Sequence, residues 1–260
     1  MTSKLIAEQR GSLGYLVLNA PERRNALSLD MWQAIPELVE RFGRNPDIRC
    51  LVVTGAGTEA FAAGADISEF EANRATEETA KIYDNATRDA ALAIIRCHKP
   101  VVAAIRGICF GGGVALAIAC DLRLASNDSR FCIPAARLGI AYGFEGTNTL
   151  VDRVGATMAV EMLLTARVYS AHEALMRGLV HQVAPAADFE TVVAGYTATI
   201  ASNAPLSMTS TKQSLQAIFS RNTTDHGAAD ECSKACTISD DYREGRLAFL
   251  EKRKPRFQGK

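Results

Sequence analysis

The sequence carries no excess of either charge: 29 Lys and Arg balance 29 Asp and Glu over 260 residues. A global electrostatic pull toward nucleic acid or an anionic membrane is therefore missing, although a local basic patch can still hold an anionic ligand. No uncharged run approaches the ~18 apolar residues that a membrane-spanning helix needs, so no membrane partner is expected. The opening stretch MTSKLIAEQRGSLGYLVLNA lacks the basic-then-apolar pattern of a secretory signal. The seven cysteines are odd in number and scattered, and Cys232 and Cys236 have no second Cys/His pair to complete a zinc site. Together these absences predict a cytoplasmic protein with reduced thiols and no bound metal.

Signatures of cofactor and nucleophile are lacking too. GICFGGGVAL (107–116) does not have GxGxxG spacing, and no strand-terminal acid follows it about 20 residues on, as a dinucleotide fingerprint requires. There is no Gly-Lys-Ser/Thr phosphate loop, nor a GxSxG elbow to pair with His98, His172, His181 or His226. Those histidines are expected to be structural or solvated.

What is present is a β-then-helix rhythm over the first 140 residues. GYLVLNA (14–20), CLVVTGAG (50–57) and PVVAAIRGICF (100–110) read as strands. SLDMWQAIPELVERFGRN (28–45) opens on a Ser cap and keeps apolar residues at helical spacing, with Pro36 expected to kink or divide it. ATRDAALAIIRCHK (86–99) reads as a helix, and GGVALAIAC (112–120) as a short, almost wholly buried one. DLRLASNDSRFCIPA supplies two brief extended pieces, and from about residue 145 the pattern changes to consecutive helices. This rhythm implies an α/β core with parallel or mixed sheets.

Two small-residue turns, FAAGADI (61–67) and FGGG (110–113), each follow a strand and open a helix. Alone, either could be a helix cap or a close packing contact. As a pair they could supply one backbone N–H each to a developing oxyanion.

PERRNALS (21–28), FAAGADI (61–67), KPVVAAIRGICFGGGVALAIACDLRLAS (99–126), SAHEALMRGLVHQV (170–183) and EGRLAFLEKRKPRF (244–257) together resemble the crotonase, or enoyl-CoA hydratase/isomerase, superfamily. The resemblance runs over nearly the whole chain in order. It implies an α/β spiral of repeated ββα units over residues 1–200 and a C-terminal helical trimerisation region over 201–260, the two forming one functional unit. It further implies homotrimers or hexamers, and acyl-CoA thioester chemistry with coenzyme A as part of the substrate rather than a separate cofactor. By motif position the thioester oxygen would be held by the N–H groups of Ala65 and Gly112. Coenzyme A would lie along Arg24, Ala26, Ala63, Asp66 and Ile67, with Phe249 and Lys252 lent by a neighbouring subunit.

The same resemblance exposes a gap. Conventional hydratases of this family use two glutamates, and the matching positions here are Ala115 and Ala135. Neither alanine accepts a proton. The segment LGIAYGFEGTNTL (138–150), which walls the acyl pocket in the family, offers one carboxylate, Glu145; an apolar pocket there would suit it for proton transfer. Tyr142 is a further candidate, as a hydrogen-bond donor or as pocket wall. The resemblance, with these departures, thus implies a thioester enolate enzyme with atypical acid/base equipment. The alternatives are decarboxylation of a malonyl-type CoA ester and a catalytically weak acyl-CoA-binding paralogue. The polar stretch 68–85 is expected to cover the acyl pocket, and its irregular pattern carries no substrate preference.

Overall fold

The computed structural model describes residues 2–73, 75–220 and 224–260. Its apolar runs pair into two sheets. The larger takes β1 (Leu5–Arg10), β2 (Leu13–Leu18), β3 (Cys50–Gly55), β5 (Val101–Ile105), β7 (Leu122–Ser126) and β10 (Gln182–Ala184), in that spatial order. The β1–β2 hairpin is antiparallel, and the other pairings in this sheet are parallel. The smaller sheet orders β4 (Ala60–Ala62), β6 (Ile108–Phe110), β8 (Arg130–Cys132) and β9 (Tyr169–Ser170). Mixed α/β layering is thus the observed class.

Unbroken apolar strands serve both faces of the larger sheet. Leu51, Val53, Val101, Ala103 and Ile105 point into the main core, while Cys50, Val52, Val102 and Ala104 pack a second cluster with Phe189 and Val193. The main core is closed by α1 (Leu29–Arg44), α3 (Glu77–Arg96) and α4 (Gly112–Ala119), and the second cluster by α7 (Phe189–Ser202). Helix α1 buries Met31, Trp32, Ile35, Leu38, Val39 and Phe42, a stripe at helical spacing. The remaining helices are α2 (Phe70–Asn73), α5 (Phe144–Thr165), α6 (Ala171–Met176), α8 (Pro205–Ser220), α9 (Thr224–Ile238) and α10 (Asp240–Leu250). None among the described residues is long and apolar enough to cross a membrane.

Four local expectations change. Residues 100–110 are not one strand: β5 and β6 belong to different sheets, and the chain steps between them at Gly107, which has φ +60°. Helix α1 continues undivided through Pro36, its buried stripe outweighing the carbonyl bond that proline cannot make. Of the polar 68–85 stretch, residues from Glu77 onward belong to α3, which begins at a reciprocal Thr76–Thr79 capping box. The helical run after residue 145 is interrupted by β9 and β10, both too short to show a period.

Buried charges tie the outer helices to this core. Lys212 of α8 donates to the Asp121 carboxylate at 2.7 Å and to the Lys99 carbonyl at 2.9 Å. The far end of α4 is held by cations: Arg123 donates to the Cys120 and Leu179 carbonyls, and Arg153 to that of Ile118. Positive charge at a helix C-terminus complements its dipole. His181 joins the same corner, its Nδ1 accepting from the Arg123 amide at 3.1 Å.

Burial, and then the Arg123 charge, push the His181 pKa from 6.5 down to about 4. On acidification the unfolded chain takes up this proton before the folded one does. The His181 contribution is therefore complete above pH 6.5 and is lost as pH falls toward 4. His181→Gln is expected to flatten the fall in denaturation midpoint across that window. The effect should be small, because the residue retains considerable solvent exposure. An unaltered acid limb in the variant would remove His181 from the account.

Candidate active site

The two small-residue turns meet. Strands β4 and β6 are parallel neighbours, and their ends lead directly into 63–66 and 111–113. The first turn is clamped to the segment before α1: Ala63 N–H donates to Arg24 C=O, Leu27 N–H to Gly64 C=O, and Asp66 N–H to Leu27 C=O. Because Leu27 bonds the peptides on both sides of Ala65, the Ala65 N–H faces the other way. It has no hydrogen-bond partner among the described residues. A β-carbon placed on Gly112 would stand 3.5 Å from the Ala65 nitrogen, so the two turns are in contact.

Each glycine of the triplet has its own reason. Gly111 takes φ +47° and ψ −110°, a turn that an L side chain strains to adopt. Gly113 lies so close to β4 that a β-carbon would come within 2.6 Å of the Ala62 carbonyl oxygen. Gly112 is the first residue of α4, where the N–H has no acceptor inside the helix; none is found elsewhere among the described residues. Trp32 braces it from α1, with Cζ2 3.0 Å from the position of a Gly112 β-carbon and Nε1 donating to the Tyr83 hydroxyl at 3.2 Å. Two unpaired amides, one at a helix N-terminus, can hold one partially negative oxygen. Their surroundings are apolar, with Val114 and Leu116 buried and Ala115 and Ala135 half-buried.

The proposed coenzyme A residues fall into two groups. Arg24, Ala26, Ala63, Asp66 and Ile67 come together through the clamp just described, with Arg24 and Ile67 exposed. Asp66 is buried; burial would raise its pKa, but donation from Ser68 and Arg23 outweighs this and holds the carboxyl below its usual range. The partner is Arg23, at 2.7 Å, leaving Arg24 without an ion pair among the described residues. Phe249 and Lys252 lie apart at the end of α10, exposed, with no hydrogen bond to residues 24–67. Sequence reasoning passed over Arg23, Leu27 and Trp32. The dipeptide Arg23-Arg24 was visible, but which of the two meets Asp66 depends on the left-handed turn at Arg24.

Glu145 sits in the first turn of α5 and is exposed, not enclosed by apolar side chains among the described residues. Its carboxylate makes no hydrogen bond or ion pair among the described residues. Tyr142 differs: its hydroxyl is buried and has no hydrogen-bond partner, and its ring lies against Gly146.

A strand-end amide and the first amide of a glycine-opened helix thus meet, both unpaired among the described residues, an arrangement able to hold one oxyanion. The family model described as Enoyl-CoA hydratase/isomerase matches residues 8–260, and the chain belongs to that family, the crotonase superfamily. The chain is 35% identical over 257 residues to (E)-benzylidenesuccinyl-CoA hydratase of Thauera aromatica, covering 97% of this chain and 98% of the relative. It is 34% identical to the peroxisomal Delta(3,5)-Delta(2,4)-dienoyl-CoA isomerase of Arabidopsis thaliana, covering 95% and 92%. The crystal structure of a putative enoyl-CoA hydratase/isomerase family protein from Hyphomonas neptunium superposes with a TM-score of 0.93 at 37% identity, covering 98% of this chain and 97% of that one.

Proposed function

We propose that this family member binds an acyl-CoA thioester and stabilises its enolate between the Ala65 and Gly112 N–H groups. The observation that carries this reading is that both amides are unpaired, adjacent and set in apolar surroundings. Coenzyme A is read as part of the substrate, along Arg24, Ala26, Ala63, Asp66 and Ile67, and no separate cofactor is invoked. Glu145 is assigned the proton transfer, because Ala115 and Ala135 stand where conventional hydratases of the family carry glutamates. The reaction is then a double-bond isomerisation, a related enolate reaction or an atypical hydration.

A homotrimer or hexamer in the cytoplasm completes the reading. Leu164, Met176, Ile238, Phe249 and Leu250 are large apolar residues left exposed on a single chain, which favours burial against further copies. Phe249 and Lys252 would then serve a neighbouring copy's ligand. The unpartnered Tyr142 hydroxyl and the missing carboxylates favour one second reading, decarboxylation of a malonyl-type ester, where loss of carbon dioxide makes the enolate without a base.

Turnover over a panel of enoyl-, 3-hydroxyacyl- and malonyl-CoA esters, in wild type and Glu145→Gln, tests the assignment. Wild type is expected to convert an enoyl-CoA, and Glu145→Gln to lose about 10²–10⁴ in kcat, the usual share of one acid/base group. Full activity in Glu145→Gln would discard Glu145 and leave the amide pair standing. Turnover of the malonyl ester alone, indifferent to that substitution, would establish the second reading. Ester binding with no turnover of any ester would make the chain a binding paralogue.

A further inference from the structure

Four buried side-chain polar atoms among the described residues have no hydrogen-bond partner, and one of them is the Tyr142 hydroxyl. A phenol shielded from water without a partner is destabilising, so its retention calls for an explanation. Tyr169 has the same deficit in a different setting. Its ring is stacked beneath the Arg167 guanidinium at 3.7 Å, and Arg167 is bound to Glu161 and Glu173 in a structural network. Tyr142 has no such network.

Its place in the chain is informative. Residues 138–143 link the turn at Ala135 to α5 and contain neither helix nor strand. The start of that link is pinned by Leu138 and Ile140, whose N–H groups both donate to the Ala135 carbonyl. Pro134, just before, lies 3.8 Å from the position of a Gly111 β-carbon. The Tyr142 ring rests on Gly146 and on the main apolar core, to which Cys109 of β6 also belongs. Cys109 is three residues before Gly112. The phenol is thus packed between α5 and the core, on the link that follows the Pro134–Gly111 contact, with no partner for its hydroxyl among the described residues.

We infer that the Tyr142 hydroxyl is a specificity-determining donor for a second oxygen on the acyl group, so that the substrate class is a CoA thioester whose acyl chain itself carries a hydroxyl, carbonyl or carboxylate. This rests on the acyl-CoA reading given above. Burial, reinforced by the Cys109 thiol, pushes the phenol pKa well up, so it remains protonated and donates. A plain hydrocarbon chain leaves that donor vacant. An oxygen-bearing chain that enters along the irregular 138–143 link fills it, and does so in a water-poor setting where the bond is strengthened.

Tyr142→Phe removes the oxygen and keeps the ring. Three calorimetric titrations separate the sources of the acceptor: butyryl-CoA for a plain chain, 3-hydroxybutyryl-CoA for a neutral oxygen and malonyl-CoA for a carboxylate, with chromatography confirming that each ester stays intact. Butyryl-CoA is expected to bind variant and wild type equally. At least one oxygenated ester should bind the variant about tenfold more weakly, the usual weight of a buried hydrogen bond. The melting temperature should stay level or rise, since an unpartnered phenol has been deleted. Equal weakening of all three esters, or of none, would reduce Tyr142 to pocket wall and overturn the inference. So would a clear fall in melting temperature, which would mean that the hydroxyl is already satisfied inside the fold. Failure of wild type to bind any ester would instead strike the acyl-CoA reading beneath it, and this inference with it.

Discussion

Gly112→Pro is expected to lower kcat by about 10²–10³ relative to Gly112→Ala, the loss associated with one oxyanion donor. Both variants introduce a β-carbon that meets Trp32 Cζ2 at 3.0 Å and Leu27 Cδ1 at 3.5 Å, so Gly112→Ala is the control for that contact, while proline also sets a ring carbon where the amide proton stood. Only proline deletes the N–H. Gly112 is the first residue of α4, the helical position where proline is best tolerated, because no intrahelical bond is forfeited there. The measurement is kcat and ester affinity on whichever CoA thioester wild type converts, with circular dichroism to confirm folding. A ground-state binding role alone would raise KM and spare kcat. Equal activity of the two variants would sink the Gly112 half of the proposed oxyanion hole.

The largest stability loss is expected at Gly107. A β-carbon there would fall 1.9 Å from the Glu59 carbonyl oxygen and 2.3 Å from its carbon, both backbone atoms that no side-chain rotation can clear. The backbone also takes φ +60°, which costs an L residue about 1–2 kcal/mol before any clash is counted. Gly107→Ala is therefore expected to destabilise the fold by about 3–5 kcal/mol, in the range reserved for steric and backbone faults. Gly178→Ala is the control: its φ is +76° but nothing lies within 4 Å of the added carbon, so only the conformational share should appear. Chemical denaturation of the two variants measures the difference. If Gly107→Ala costs no more than Gly178→Ala, the step between the sheets is looser than described.

That step also shows where sequence reading stops. PVVAAIRGICF is apolar on both sides of Arg106-Gly107, and period alone cannot distinguish one strand from two strands in different sheets. The early turns of α3 were hidden for the opposite reason. EETAKIYDN is mostly polar because that part of the helix faces solvent, and within it only Tyr83 is buried. Strands β9 and β10 hold two and three residues, too few to display alternation. The turns at 61–67 and 110–113, by contrast, were legible because close backbone approach restricts a position to the smallest side chains. Ala115 and Ala135 were legible as a departure from a motif. The exposure of Glu145 and the orphaned hydroxyl of Tyr142 were not, since both depend on the path of the 138–143 link, which has no repeating pattern.

The parallel pairing of β4 with β6 has a metric consequence. Adjacent strands in any sheet stand about 4.8 Å apart, a spacing fixed by peptide geometry and indifferent to side chains. One oxygen receiving two N–H bonds of ordinary length along its lone-pair directions needs its donors about 5 Å apart. Amides that leave neighbouring strands at the same end therefore begin close to the separation that such an oxygen requires. Here those amides belong to Ala65 and Gly112, carried just past the ends of β4 and β6. The gauge of the proposed site is thus a property of the sheet, which leaves the acyl-facing side chains free to vary without altering it.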